Sequence, residues 1–332
     1  MSNGKIDFVV TWVDGNDEAW QQEKAKYSPV KTDNSSSNNR YRDWGMMKYW
    51  FRGVEKFAPW VNHVYLITCG HYPDWLNLDN PKLTLVKHTD YIPQELLPTF
   101  NSNTIEMYSH KIPGISENYV VFNDDMMLLS PTKETDFFVD GLPCESGLIG
   151  TISADNPMDV FPHILVNNNA IINKHFSKKE VTKKNFSKFF TLIYGNHLLR
   201  NISLIPFSNF SDFYDLHLAK SVSKRVFEEV WNAEPEAMYK GTCSRFRSKD
   251  DINIWLIKEW YLCKGEFHPR SPKFGRKFEL GVDSGFAEYI RQQKGKMACL
   301  NDSSDNIDFE HIQAELIDAL ETILPEKSSY EV

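Results

Sequence analysis

The sequence predicts an α/β protein built on a largely parallel central sheet. Three observations carry this: short apolar strand patterns recur at wide intervals, helical patterns fall between them, and the fourth strand pattern runs straight into Asn123-Asp124-Asp125. Ligands of such sheets gather beyond the carboxyl ends of the strands, which places Asp14 and the Asp124/Asp125 pair on one rim. With 332 residues, 41% apolar and 14% aromatic, the chain can bury a sizeable core as one large domain with an insert or as two tightly joined ones.

Ile6 to Val13 is rich in β-branched and aromatic residues and ends at Asp14-Gly15, so it reads as a buried first strand delivering polar groups at its end. A helical stretch follows from Glu18 to Lys26, then a Ser/Asn run from Thr32 to Asn39 that suits a linker or a lid. From Trp44 to Phe57 the apolar positions approximate helical spacing, and Ala58-Pro59 stops the run. So aromatic a stripe belongs in the core. His63 to Thr68, Leu83 to Val86 and Tyr119 to Phe122 supply the other strands. Residues 141 to 204 have weak periodicity and many Asn and Lys, the mark of an insertion. Helical patterning returns from Leu218 to Trp231 and from Asp251 to Leu262. The tail from Phe309 to Leu324 carries Ile312, Leu316, Ile317, Leu320 and Ile323 on one face. Its polar face is not basic, so it is expected to dock on its own domain.

A net charge of -8 and no basic run interleaved with aromatics argue against a nucleic-acid partner. The N-terminus leads directly into a strand pattern, without the basic and apolar regions of a signal peptide, and no stretch of about 18 apolar residues exists to span a bilayer. Five scattered cysteines form no CxxC pair. Together these point to a reduced, cytoplasmic protein.

Adjacent carboxylates at a strand end, as in Asn123-Asp124-Asp125, can hold Mg2+ or Mn2+, which in turn holds a diphosphate; alone they also suit a turn. Asp14, Gly15 and Asp17 sit where ribose or phosphate contacts would fall, or simply make a turn. The run Ser244-Arg245-Phe246-Arg247-Ser248-Lys249-Asp250-Asp251 puts two guanidiniums beside two carboxylates just before a helical pattern, which suits either phosphate or a capped helix. His217 precedes the pattern beginning at Leu218. Motifs of serine hydrolases, P-loop NTPases, Rossmann oxidoreductases and zincins are missing.

Read together, these segments resemble the Stealth family of capsular polysaccharide phosphotransferases, which includes the catalytic subunit of the lysosomal-enzyme N-acetylglucosamine-1-phosphotransferase. The resemblance rests on Ile6 to Asp17; on a long block from Arg40-Tyr41-Arg42-Asp43 through Leu97-Pro98-Thr99-Phe100-Asn101-Ser102 to Phe122-Asn123-Asp124-Asp125; on His217 to Trp260; and on Cys299-Leu300-Asn301-Asp302. It implies a GT-A-like nucleotide-sugar-binding core with an inserted variable region. It also implies transfer of a hexose 1-phosphate, such as N-acetylhexosamine 1-phosphate, from a UDP-sugar to a saccharide or lipid-linked saccharide. His217, Asp125 and Arg247 would be catalytic, and Asp124, Asp125 and Asp302 the metal ligands. Trp12, Asp14, Gly15, Asp17, Arg42, Asn123, Arg245, Asp250 and Asp251 would bind the donor. Residues 1–140 would then hold nucleotide sugar and metal, 141–204 the acceptor region, 205–306 the rest of the catalytic domain, and 307–332 a helical tail. Peripheral association with a polysaccharide assembly complex at the inner membrane face would follow.

Two rivals differ in kind. A metal-dependent glycosyltransferase would break the bond to the anomeric carbon and release UDP. A carbohydrate-binding module would stack sugars on aromatics such as Trp75 and turn nothing over.

Overall fold

The computed structural model describes residues 4–28, 41–302 and 307–332. The polar run from Thr32 to Asn39 and Arg40 lie outside them. Four strands run parallel in the order β3 (Leu83–Lys87), β2 (Val64–Thr68), β1 (Ile6–Thr11) and β4 (Asn118–Phe122). Crossovers between them carry α1 (Glu18–Tyr27), α2 (Met47–Phe57) and α3 (Ser102–Met107). The β1 side chains split between two cores: Phe8 and Val10 face α2, while Val9 faces the opposite layer. Burial on both faces is why β1 reads as a continuous apolar run. The aromatic stripe of α2 is core, with Trp50 against Phe122 at 5.4 Å between ring centroids. This mixed α/β layout with a parallel-rich sheet matches the expected class and is consistent with a GT-A-like core.

One expectation is corrected. Residues Leu218 to Trp231 are not one helix: β8 (Lys220–Ser223) pairs antiparallel with β4 before a helix runs from Lys224 to Ala233. The open edge of β4 needs backbone partners, and that demand outweighs the helical spacing of Leu218 and Val222. Ser223 then caps the helix, its hydroxyl accepting from the Val226 N–H. Residues 141 to 204, weak in periodicity, nevertheless hold four helices: α4 (Val160–His175), α5 (Lys178–Lys184), α6 (Phe186–Phe189) and α7 (Leu198–Ser203). Asparagines blur the pattern of α4 because they work as fasteners. Asn167 donates to the carbonyls of Lys249 and Asp251, Asn168 to the Asn253 side chain, and Asn169 and Asn173 to the carbonyl of Phe210.

Beyond this segment, α8 (Lys224–Ala233), α9 (Pro235–Lys240) and α10 (Trp255–Lys264) close the face opposite α2. A second sheet orders β10 (Gly275–Leu280), β11 (Met297–Asp302) and β5 (Met126–Leu128), with β11 antiparallel to β5, and a small third one orders β6 (Phe138–Val139), β7 (Leu142–Glu145) and β9 (His268–Pro269). After α11 (Phe286–Arg291), α12 (Phe309–Ile323) docks as expected: Leu316, Leu320 and Ile323 join the α2 core. Among the described residues no helix is long and apolar enough to cross a membrane.

His110 stacks on Phe227 at 4.9 Å, and burial, aided by Lys111, holds its pKa down to about 4 against 6.5. The unfolded chain therefore binds a proton more readily, so this residue's contribution to stability is present above pH 6.5 and is lost as pH falls toward 4. His110→Gln should flatten the fall in Tm over that interval, as read by thermal melts across pH.

Candidate active site

Two strand ends build one wall. Past β1, Asp17 caps α1 by accepting from the Trp20 N–H at 2.7 Å, and Asp14 accepts from the Asn16 N–H at 2.8 Å. The Asp14 N–H donates to His71 Nε2 at 2.9 Å, and the Trp12 ring meets His71 edge-on. Gly15 has no room for a side chain, since a Cβ there would lie 1.9 Å from the Tyr41 carbonyl oxygen. Gly15→Ala must push the 41–43 segment away, at a cost of about 1–3 kcal/mol. Thermal melts should show that loss.

Past β4, the Asn123 carbonyl accepts from the Met126 N–H at 3.1 Å, and this turn presents Asp124 and Asp125. Burial pushes the Asp124 carboxyl up to about 7, with Asp125 and then Asp43 adding to it. Asp43 is raised by burial and by Asp14. Asp14, Asp43 and Asp124 thus share one electrostatic field, as the common rim requires. Asp43 also lines a cavity of about 330 Å³ with Trp12, Trp44, Lys48 and Trp75.

The Asp125 carboxylate meets residues from the second sheet and from the approach to β8. Ligating atoms of Asp125, His217 and Cys299 lie within 4.8 Å of one another. The Cys299 thiol donates to Asp125 Oδ2 at 3.4 Å, while Asp125 Oδ1 is buried without a hydrogen-bond partner. His217 has a left-handed backbone, φ 54°, and its N–H donates to Asp215 Oδ1 at 2.6 Å. Burial first, then the Lys277 ammonium, holds the His217 imidazole down to about 3, so it is neutral at neutral pH. Beneath it, Asp215 accepts from Lys220 at 2.9 Å and from Lys258 at 2.7 Å. Burial opposes ionisation of that carboxyl, but the two ammoniums hold it well below the usual range.

The 244–251 segment splits in function. Arg247 donates to Ser102 Oγ at 2.6 Å, and its charge reaches both His217 and Glu106. Arg245 instead donates to the Leu97 carbonyl at 3.1 Å and lies over the Tyr27 ring. Asp251 is fully buried and accepts from the Asn101 and Asn103 side chains, while Asp250 is exposed and pairs with Lys240. Asp302 receives the Trp44 indole N–H at 3.1 Å and pairs with Arg42 at 3.6 Å. Of the expected set, Asp125 and His217 come together, with the Arg247 charge acting on His217; Arg245 bonds the Leu97 carbonyl, Asp251 fastens to Asn101 and Asn103, Asp250 is exposed, and Asp302 is in contact with Arg42 and Trp44.

The chain matches the models of Stealth protein conserved region 1 over residues 4–29 and conserved region 2 over residues 40–144. It is 43% identical to the capsular polysaccharide phosphotransferase WcwK of Streptococcus pneumoniae over 98% of both chains. The chain belongs to the Stealth family. Identity to the exopolysaccharide phosphotransferase cps2G of Lactiplantibacillus plantarum is 40%, over 98% of this chain and 96% of the other. Stealth membership at this identity makes the protein an enzyme, a transferase of the phosphotransferase kind. Among solved structures, the apo form of the bifunctional glycosyltransferase WbbM overlaps 95% of this chain and 49% of its own length, at TM-score 0.38 and 9% identity.

Several residues of this candidate site were not singled out from the sequence. Asp43 lay inside the quoted Arg40 to Asp43 block but carried no strand-end signal. Glu106, in α3, is buried and pushed up to about 7 by burial, against the pull of Arg247 and Lys220. A lone acid at an inward helical position was its only signal. Lys220 and Lys258, 6% and 2% exposed, and the half-buried Lys277 were not singled out either.

Proposed function

We propose that the protein transfers a hexose 1-phosphate from a UDP-sugar to a saccharide hydroxyl, forming a phosphodiester in a capsular or surface polysaccharide. The convergence of a neutral His217 on Asp125 within reach of Arg247 supports this reading above all. The acceptor hydroxyl oxygen attacks the sugar-proximal phosphorus, His217 takes its proton, and the bond from phosphorus to the nucleoside monophosphate oxygen breaks. The anomeric C1–O bond stays intact and UMP leaves. Arg247 offsets charge on the transferred phosphoryl group. Binding of the diphosphate would raise the basicity of His217, because negative charge favours the imidazolium.

Asp124 and Asp125 fit a hard divalent cation: both offer oxygen, both are raised by burial, and Asp125 Oδ1 is an orphaned acceptor. Mg2+ or Mn2+ held there would neutralise the donor diphosphate. Trp12, Asp14 and Asp43 would flank the nucleotide sugar. A cytoplasmic place of work, with a lipid-linked or growing saccharide as acceptor, suits UDP-sugar chemistry.

Product analysis by 31P NMR and mass spectrometry tests the reading, with UDP-N-acetylglucosamine and other UDP-hexoses, Mg2+ or Mn2+, and an oligosaccharide acceptor. UMP with a new phosphodiester is the expected result, and Asp125→Asn should reduce it to background. UDP without a phosphodiester would identify a glycosyltransferase and sink the mechanism.

A further inference from the structure

The residues 186–207 turn unusually large apolar side chains outward. Leu192 is 87% exposed, Leu199 67%, Phe186 61%, and Ile205 and Phe207 57% each. Phe186 stacks on Phe190 and the Phe207 ring lies near the Lys178 ammonium, while Leu192, Leu199 and Ile205 stay largely open to solvent. Phe189, Tyr194, Asn201 and Leu204 face inward, and Asn201 fastens α7 by donating to the carbonyls of Gly147 and Phe189 while accepting from the Ile149 N–H. Lys178 ties α5 to the same unit through the carbonyls of Leu204 and Phe207. The outward side chains therefore form a surface on a braced support, and exposed apolar clusters of this kind mark interaction sites.

Charge says what covers it. From Lys174 to Phe207 the sequence has seven Lys and Arg against one acid, Glu180, in a chain whose net charge is -8; Lys178 and Lys188 point to backbone carbonyls and Lys174 pairs with Glu234, which leaves four for the surface. Lys179, Lys183 and Lys184 are exposed on α5, and Arg200 is exposed on α7 among the apolar residues. We propose that this face docks on an anionic lipid bilayer, its Leu, Ile and Phe side chains entering the headgroup boundary and its lysines meeting the lipid phosphates. A second copy of the chain is the poorer occupant, since a self-complementary contact would set one basic segment against another.

The docking face adjoins the reaction centre. His197, between Leu192 and Leu199, lines a cavity of about 520 Å³ together with Asp215 and Lys277, and Lys277 acts on His217. Insofar as the face serves to present a lipid-linked acceptor to that cavity, the idea rests on the transferase reading; bilayer binding itself does not.

Co-sedimentation of the full chain with phosphatidylcholine vesicles, and with vesicles also containing phosphatidylglycerol, tests it without donor or turnover. Binding is expected only to the anionic vesicles and should fall as salt rises. Leu192→Ser/Leu199→Ser/Phe207→Ser should abolish it while melting and circular dichroism stay unchanged. Lys183→Gln/Lys184→Gln should weaken it roughly thirty-fold, at about 1 kcal/mol per basic residue. Absence of vesicle binding would overturn the proposal, as would wild-type binding by the apolar triple variant, or a concentration-dependent dimer in sedimentation that the triple variant loses while vesicles remain unbound. Failure here would leave the phosphotransfer reading intact, because that reading is tested on products.

Discussion

On the proposed mechanism, with His217 as general base, His217→Asn is expected to lower kcat by about 10²- to 10⁴-fold, the usual worth of such a group. Asn is the informative replacement because His217 sits at φ 54°, a conformation that Asn tolerates better than Ala. The variant suits the backbone and replaces the imidazole, which packs edge-on against Trp255, by a non-basic amide. Its N–H still has the Asp215 carboxylate to donate to, so the melting temperature should move little. Initial rates of UMP release, with donor and acceptor titrated separately, give the readout. A fall in kcat with little change in either KM is the signature of a group acting in the transition state. A rate within tenfold of the parent would remove His217 from the chemistry.

Asp215→Ala is expected to be the most damaging change to stability, at about 3–5 kcal/mol, because it strands the Lys220 and Lys258 ammoniums in the interior without their counter-charge. Burial would lower the pKa of Lys258, but Asp215 outweighs it and holds the ammonium well above its ordinary range. Removing the carboxylate reverses that balance and also frees the backbone of His217. Denaturant melts should show a large drop in midpoint. Adding Lys258→Met to Asp215→Ala should recover part of the loss, since it removes one of the two stranded charges. Absence of any recovery would mean that the charge pairing is not what Asp215 contributes.

The strands were legible because each is a short apolar run closed by turn residues, and burial on both faces leaves little else for such a run to be. The rim at Asp14 and Asp124/Asp125 followed from strand ends alone. Lys220 to Ser223 was not legible, because Leu218 and Val222 suit a helix as well as a strand until the open edge of β4 is present to choose. The helix α4 was hidden by its asparagines, whose partners at Phe210, Lys249 and Asn253 are far away in sequence. In the site, Arg247 and Arg245 look equivalent in sequence, and only packing sends one toward His217 and the other to the Leu97 carbonyl.

What the sequence by itself determined was the parallel α/β plan, the acidic rim and, through its long motif block, the family: these depend on local periodicity and on residue order. Tertiary structure alone decided which charges work together. Asp215 with Lys220 and Lys258, Asp125 with Cys299 and His217, and Glu106 with Arg247 are joined across long stretches of chain, and whether a titratable group there stays charged depends on burial and on neighbours that folding supplies.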